Sequence, residues 1–292
     1  MVHVSRPIVG LTLSGGGARG LAHIGVLKVL EREGIPIDCL SGASMGGILG
    51  AVYAAGYSAS ELEDMALGMA RPRRLVHLVD FGPPRRGLLA GRKLRAYLAQ
   101  FLPPELTFAD LRLPLALEAV DLDAGREVAL TQGSVLRAAL ATSAFPGVLP
   151  PVEWQSRRLV DGGLLDNLPV DLVRGLGAEM VIAVNVGPMP NEPDMLEPAL
   201  SSHLPGFMRT ALDAVWLLSN ARTWARLQED KPDILIHPHL PPDIGTFSSF
   251  TRAAEIIAIG EEAANRALAG FLPHGMPHHS MSVALEGAAV LA

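Results

Sequence analysis

The chain has 292 residues, 49% hydrophobic and 18% charged, with a formal net charge of −6. That is enough to bury a large core as one domain, or one domain with a cap, and the acidic balance speaks against general nucleic-acid binding. Cys39 is the only cysteine, excluding a disulfide and a cysteine-based metal site; no apolar run reaches the ~18 residues of a spanning helix, and the start lacks a signal-peptide core, so a cytoplasmic protein is expected.

Ile8-Val9-Gly10-Leu11-Thr12-Leu13 reads as a buried strand that runs into Ser14-Gly15-Gly16-Gly17-Ala18-Arg19-Gly20 and then a helix over 21–33. Three consecutive glycines at a strand end let backbone N–H groups converge on one anionic point at a helix N-terminus. Gly15, Gly17 and Gly20 also fit the dinucleotide pattern G-x-G-x-x-G, which calls for an acidic residue at the end of the second strand. Here that strand ends at Leu40-Ser41, and Asp38 lies near its start.

The second strand (Ile37, Cys39, Leu40) delivers Gly42-Ala43-Ser44-Met45-Gly46, followed by the Ala-rich helical stretch Gly47-Ile48-Leu49-Gly50-Ala51-Val52-Tyr53-Ala54-Ala55. Strand, G-x-S-x-G, helix is the context of a nucleophile elbow. Its sharp turn needs flanking residues without a bulky Cβ, and it lifts the serine hydroxyl to the N-terminus of the next helix. A tight turn with an ordinary N-cap serine is the bland alternative. A βαβ unit sets its strand ends side by side. The Gly15–Gly17 loop would then supply the N–H donors that a tetrahedral intermediate at Ser44 requires.

A helix over 58–69 is expected to be capped by Ser58 or Ser60. Residues 71–95 then carry Arg71, Arg73, Arg74, Arg85, Arg86, Arg92, Lys93 and Arg95 against one acid, Asp80, with Pro72, Pro83 and Pro84. This partly irregular segment reads either as a lid that meets anionic headgroups or as a solvated connection. A hairpin over 113–121 and 127–131 turns at Gly125, and a helix over 133–141 follows. A short strand pair, Val152-Glu153-Trp154 and Arg158-Leu159-Val160, delivers Asp161-Gly162-Gly163. An aspartate there is either an Asx-turn residue or a general base with open access.

Gly15-Gly16-Gly17-Ala18-Arg19-Gly20, Gly42-Ala43-Ser44-Met45-Gly46 and Asp161-Gly162-Gly163, in this order, resemble the patatin-like phospholipases, and the bacterial branch related to neuropathy target esterase in particular. The resemblance runs from Ile8 to about Leu272 and includes Leu168-Pro169-Val170. It implies a three-layer α/β sandwich with a mainly parallel central sheet and helices on both faces. It also implies a serine lipid acyl hydrolase of the phospholipase A, lysophospholipase or carboxylesterase type, with nucleophile Ser44, base Asp161 and an oxyanion hole at Gly15, Gly16 and Gly17. Arg19 is the arginine the family keeps beside that loop, and Gly42, Gly46, Gly162 and Gly163 support the site. No metal or cofactor is called for.

The rival enzyme is a Ser-His-Asp esterase or thioesterase on the α/β-hydrolase fold, with His203, His237 or His239 as its histidine. His237-Pro238-His239 follows the apolar strand Ile234-Leu235-Ile236 and is the serious candidate. From another class comes a non-catalytic lipid- or nucleotide-binding module that uses the glycine loop as an anion cradle. His274, His278 and His279 sit in a Pro/Gly-rich stretch read as a tail rather than a metal site.

Further on, a helix over 170–176 ends at Gly177, a strand spans 179–186, and 191–205 is a polar loop. A long helix over 205–228 is expected to bury Phe207, Met208, Ala211, Leu212, Val215 and Leu218 on one face. Trp216 and Trp224 lie off that face, as anchors to lipid or a second subunit or as partly buried core. The last helix covers 251–268. One acyl-hydrolase domain, 7–272, with a flexible tail, 273–292, is the expected organisation. The expected partners are an acyl lipid or phospholipid and, peripherally, an anionic membrane surface, with no nucleic acid.

Overall fold

Val9–Leu13 (β1) is buried along its whole length and sits inside an eight-stranded sheet. A computed structural model describes residues 6–78, 80, 89–189 and 206–269; Arg85, Arg86, the whole of the expected 191–205 loop with His203, and the expected tail 273–292 lie outside them. Cys39–Gly42 (β2) and Met180–Val184 (β7) flank β1 in parallel. Ile234–Ile236 (β8) adds in parallel to β7, and Leu115–Asp121 (β3) adds in parallel to β2. Arg126–Leu130 (β4), Val152–Trp154 (β5) and Arg157–Asp161 (β6) run antiparallel beyond β3. The mainly parallel sheet expected from the sequence is the one observed.

Successive strand residues point to opposite faces, and the sheet has a core on each. Ile182 and Val184 of β7 belong to the larger core, whereas Val181 and Ala183 belong to the smaller one. Over the larger face lie α1 (Ala22–Arg32), α2 (Ser44–Ala54), α3 (Ala59–Met69), α6 (Val135–Thr142) and α9 (Ala253–Leu268). Over the smaller lie α7 (Val170–Gly175) and the end of α8 (Gly206–Asp230), through Val173 and Leu227. Ser58 caps α3 in a capping box with Glu61.

Two elements depart from expectation. The described parts of 71–95 are more regular than Pro72 implied: Pro72–Leu78 forms α4 and Arg92–Leu98 forms α5. Pro72 stands at the first helical position, where its missing N–H costs nothing. In α8, Ala211 and Leu218 of the expected buried face are exposed, Leu218 at 69%. The inward face carries Ser219 and Thr223 instead. It packs on a loop whose carbonyls need donors, so Ser219 bonds to the Gly163 carbonyl and Arg222 to that of Leu165.

The register of β3 explains how the site is assembled. Leu117 pairs with Leu130 of β4 and with Gly42 of β2, while Ala119 pairs with Val128 of β4 and with Asp161 of β6. A strand has two edges, and β4 occupies one of them from Leu117 to Asp121. The strands β2 and β6 therefore share the other edge end to end, running toward each other. Their last residues, Gly42 and Asp161, meet two positions apart along β3.

Candidate active site

That head-on meeting puts Ser44 against Asp161. Ser44 follows β2 directly and begins α2 with φ of 50°, a left-handed backbone that costs a non-glycine residue energy and persists only where its surroundings impose it. Gly42 and Gly46 make the turn feasible. A Cβ on Gly42 would lie 2.9 Å from the Gly46 carbonyl carbon and Gly47 nitrogen, and one on Gly46 would press on the Leu13 and Ser14 carbonyls. The Ser44 amide donates to Thr142 Oγ1 at 3.0 Å, and that hydroxyl donates to the Glu118 carbonyl at 2.5 Å. Thr142 thus ties the elbow to β3.

Ser44 Oγ donates to Asp161 Oδ2 at 2.7 Å, and the Gly163 amide donates to Asp161 Oδ1 at 2.9 Å. Asp161 is 2% exposed. Burial lifts its pKa from the ordinary value to about 7, against the opposing pull of the Ser44 and Gly163 hydrogen bonds. Both glycines after it are sterically required. A Cβ on Gly162 would meet the Glu118 carbonyl, and one on Gly163 would meet the Asn167 amide oxygen.

The glycine loop lies across the same cleft. The Ser14 amide donates to the Val184 carbonyl at 3.1 Å, and His23 Nε2–H donates to the Ser14 carbonyl at 2.8 Å. His23 is fully buried, and burial lowers its pKa to about 4, so it is a neutral structural donor. Gly15 N–H donates to the backbone oxygen and to Oδ1 of Asn167, both at 3.1 Å. Ala18 N–H donates to the Thr246 carbonyl at 2.7 Å, and Arg19 Nε to the Val186 carbonyl at 3.0 Å. Among the described residues only the Gly16 and Gly17 amides of this loop have no protein acceptor. Of the three glycines expected to line an oxyanion hole, Gly15 has its donor engaged and the other two do not.

These groups open into one cavity of about 740 Å³, within the usual range for small-molecule sites. Its polar lining includes Ser44, Asp161, Arg19, Asn167, Ser219 and Asn220. Asp80 and Ser143 also line it, and the apolar walls include Met45, Ile48, Leu75, Leu94, Phe145 and Leu149. Trp216 lines the cavity and stands edge-on to Phe145, which also contacts Phe247. Trp224 does not; its indole N–H donates to the Pro188 carbonyl at 2.9 Å.

Other candidates lie elsewhere. Among the described residues no histidine lines the cavity; His237 stacks at a tilt on Trp224, and His239 is exposed. Asp38 is held by Arg6 at 2.6 Å just before β2, at the opposite end of the strand from Ser44, away from the glycine loop. No group of three or more metal-ligating side chains occurs among the described residues, nor does a helix long and apolar enough to cross a membrane. Asn167 and Thr142 were not singled out from the sequence. The only local hint for Asn167 is its place between the Asp161 turn and Leu168-Pro169.

The family model described as patatin-like phospholipase matches residues 11–174. An uncharacterized NTE family protein of Mycobacterium bovis is 37% identical over 182 residues, covering 62% of this chain and 50% of that protein. The lysophospholipase nte1 of Aspergillus fumigatus is 33% identical over 205 residues, 69% of this chain and 13% of the fungal one. The chain therefore matches half of the mycobacterial relative and a small part of the fungal one. Among solved structures, VipD from Legionella pneumophila superposes over 91% of this chain and 67% of its own, with a TM-score of 0.52 and 14% identity. That likeness is one of fold.

Proposed function

Because the chain belongs to the patatin-like phospholipase family, with NTE family proteins among its relatives, we propose that it hydrolyses acyl lipid esters with a Ser44–Asp161 dyad. The observation that carries this reading is the 2.7 Å hydrogen bond from Ser44 Oγ to a buried carboxylate, in a cavity with extensive apolar walls. Ser44 Oγ attacks the ester carbonyl carbon as its proton passes to Asp161. The Gly16 and Gly17 amides hold the negative oxygen of the tetrahedral intermediate. Collapse breaks the bond to the leaving oxygen, which takes the proton from Asp161 and departs as an alcohol, here a lysolipid or glycerophosphoryl group. Water then gives a proton to Asp161 and attacks the acyl-enzyme. The second collapse releases the fatty acid and returns the proton to Ser44. The apolar walls accommodate the acyl chain, and the polar lining faces the alcohol portion.

The test is labelling with a fluorophosphonate, located by peptide mass, beside hydrolysis of phosphatidylcholine and lysophosphatidylcholine. A single adduct on Ser44 with release of fatty acid is expected. Absence of both, in protein of native circular dichroism, would favour the non-catalytic binding module. An adduct on Ser44 that also requires His237 would favour the Ser-His-Asp reading.

We also propose that the basic segment brings the site to anionic membrane. Arg71, Arg73, Arg74, Arg92, Lys93 and Arg95 are all exposed, while Leu75 and Leu94 of the same segment line the cavity. Each basic residue near an anionic surface contributes about 1 kcal/mol, fading beyond a Debye length. Wild-type protein should co-sediment with phosphatidylglycerol-containing vesicles at low salt and be released as salt rises. The triple change Arg71→Glu, Arg73→Glu, Arg95→Glu should bind markedly less. Equal binding by the two proteins at low salt rejects the idea.

A further inference from the structure

Asp80 is a carboxylate in a place where none is needed for the chemistry. It is 8% exposed and lines the cavity, beside Leu89, Gly91 and Leu94. None of the groups that bond Ser44 lies on this stretch; those are Asp161 and Thr142. A carboxylate at an apolar wall is costly unless its lone pairs are taken up, and here they are. Asp80 Oδ1 accepts from the Gly91 amide at 3.0 Å; Oδ2 accepts from the amides of Arg92 at 3.0 Å and Lys93 at 3.3 Å. The Asp80 carbonyl accepts from the Ala90 amide at 2.6 Å. Arg92 Nε stands 3.6 Å from Oδ2 on the solvent side.

These donors are the amides that open α5, which have no acceptor within the helix. Gly91 itself has φ of 73°, a left-handed turn into α5, so the turn has no regular ladder to fix it. One carboxylate therefore sets where the chain enters α5. The same stretch carries two of the cavity's apolar walls: Leu89, whose amide donates to the Val148 carbonyl at 2.9 Å, and Leu94, in the first turn of α5.

We propose that Asp80 is a positioning residue for acyl-chain selection: by fixing the start of α5 it holds Leu89 and Leu94 as the wall against which a long chain packs. This rests on the hydrolase reading for its substrate, an acyl chain, but on its own geometry for the wall. On this proposal a short acyl group stays beside Ser44 and the glycine loop, and a long one extends to Leu89 and Leu94 of the same cavity. Loss of the Asp80 hydrogen bonds should therefore raise KM for long-chain esters and leave kcat far less affected. A general folding defect would instead lower activity at every chain length.

The experiment compares wild type, Asp80→Asn and Asp80→Ala on p-nitrophenyl acetate, butyrate, octanoate and palmitate. Asp80→Asn keeps the volume and one acceptor, so it serves if Asp80→Ala folds poorly. The ratio of kcat/KM for palmitate to that for acetate should fall at least tenfold in Asp80→Ala and less in Asp80→Asn, mainly through KM. Chain binding is read without turnover by titrating cis-parinaric acid, a fluorescent long-chain fatty acid, into Ser44→Ala and Ser44→Ala/Asp80→Ala. A Kd at least tenfold weaker in the double variant is expected. Failure of wild type to hydrolyse any ester would count against the hydrolase reading, while the parinarate titration would still decide the wall. An unchanged Kd, or an equal loss at every chain length, overturns the proposal.

Discussion

Asp161→Asn is expected to give a folded protein that is more heat-stable than wild type at neutral pH and nearly inactive. The side chain is buried and its pKa is raised to about 7, with burial as the main cause. An unfolded aspartate ionises near 3.8, so between those two values the native state keeps a proton that the unfolded state has lost. Native stability therefore falls as pH rises through that window, and the full penalty is present above about pH 7. Asparagine keeps the shape, can accept from Gly163 N–H and can donate to Ser44, and carries no charge to desolvate. The gain in stability should be a few kcal/mol at most above pH 7, about 4 as a ceiling at 1.36 per unit, and should vanish below about pH 4. Thermal melts of both proteins across pH 4–8 check this.

The catalytic side of the same substitution has the opposite sign. Without a base, Ser44 cannot lose its proton in the attack, and kcat should fall about 10²–10⁴-fold. Ser44→Ala should fall further, on the order of 10⁶-fold or to background, since the attacking atom itself is gone. His237→Ala and His239→Ala should keep most activity, because neither histidine lines the cavity. In wild type, kcat/KM should drop tenfold per unit below about pH 7 and stay level just above it, as expected of a base with that pKa. A histidine variant as inactive as Ser44→Ala would replace the dyad with a triad. An acid limb near pH 4, the ordinary aspartate value, would mean that burial does not raise the Asp161 pKa in the working enzyme.

Much of this site is readable in the sequence because its parts are local. The run Val9–Leu13 is apolar and ends in glycines, and Ser44 is flanked by Gly42 and Gly46, which the turn demands sterically. Asp161 ends a strand before two glycines that cannot carry a Cβ. What stayed hidden acts across the chain. Thr142 bonds a backbone amide 98 residues away, and Asn167 one 152 residues away; neither leaves a mark on its own neighbours. Asp80 caps a helix 11–13 residues later, too far to read as an N-cap. The buried face of α8 departs from its apolar stripe for a related reason. Periodicity finds apolar stripes, but this helix packs where carbonyls of another loop require Ser219 and Arg222.

Gly17→Ala should lower kcat by about 10²–10³-fold, equivalent to about 2.7–4 kcal/mol of lost transition-state stabilisation, with KM little changed. The reason differs from simple obstruction of the oxyanion. Gly17 has φ of 55°, and a Cβ there would fall on the Thr246 carbonyl oxygen, the acceptor of the Ala18 amide. An alanine must therefore push the loop off its anchor, and the free Gly16 and Gly17 donors move with it. Gly16→Ala strains a side chain rather than the Thr246 anchor, since its Cβ would meet a methyl of the buried Val186 at 2.6 Å. Gly34→Ala separates strain from mechanism. Gly34 has φ of 64° with nothing within 4 Å of an added Cβ, at the end of α1. It should lose stability as a left-handed alanine does and keep kcat. If a folded Gly17→Ala protein turns over at the wild-type rate, the glycine loop plays no part in holding the oxyanion. Tight binding of NAD by wild type would then point to the dinucleotide pattern of Gly15, Gly17 and Gly20 instead. A slow Gly17→Ala enzyme beside a normal Gly34→Ala enzyme would place the loss at the donors themselves.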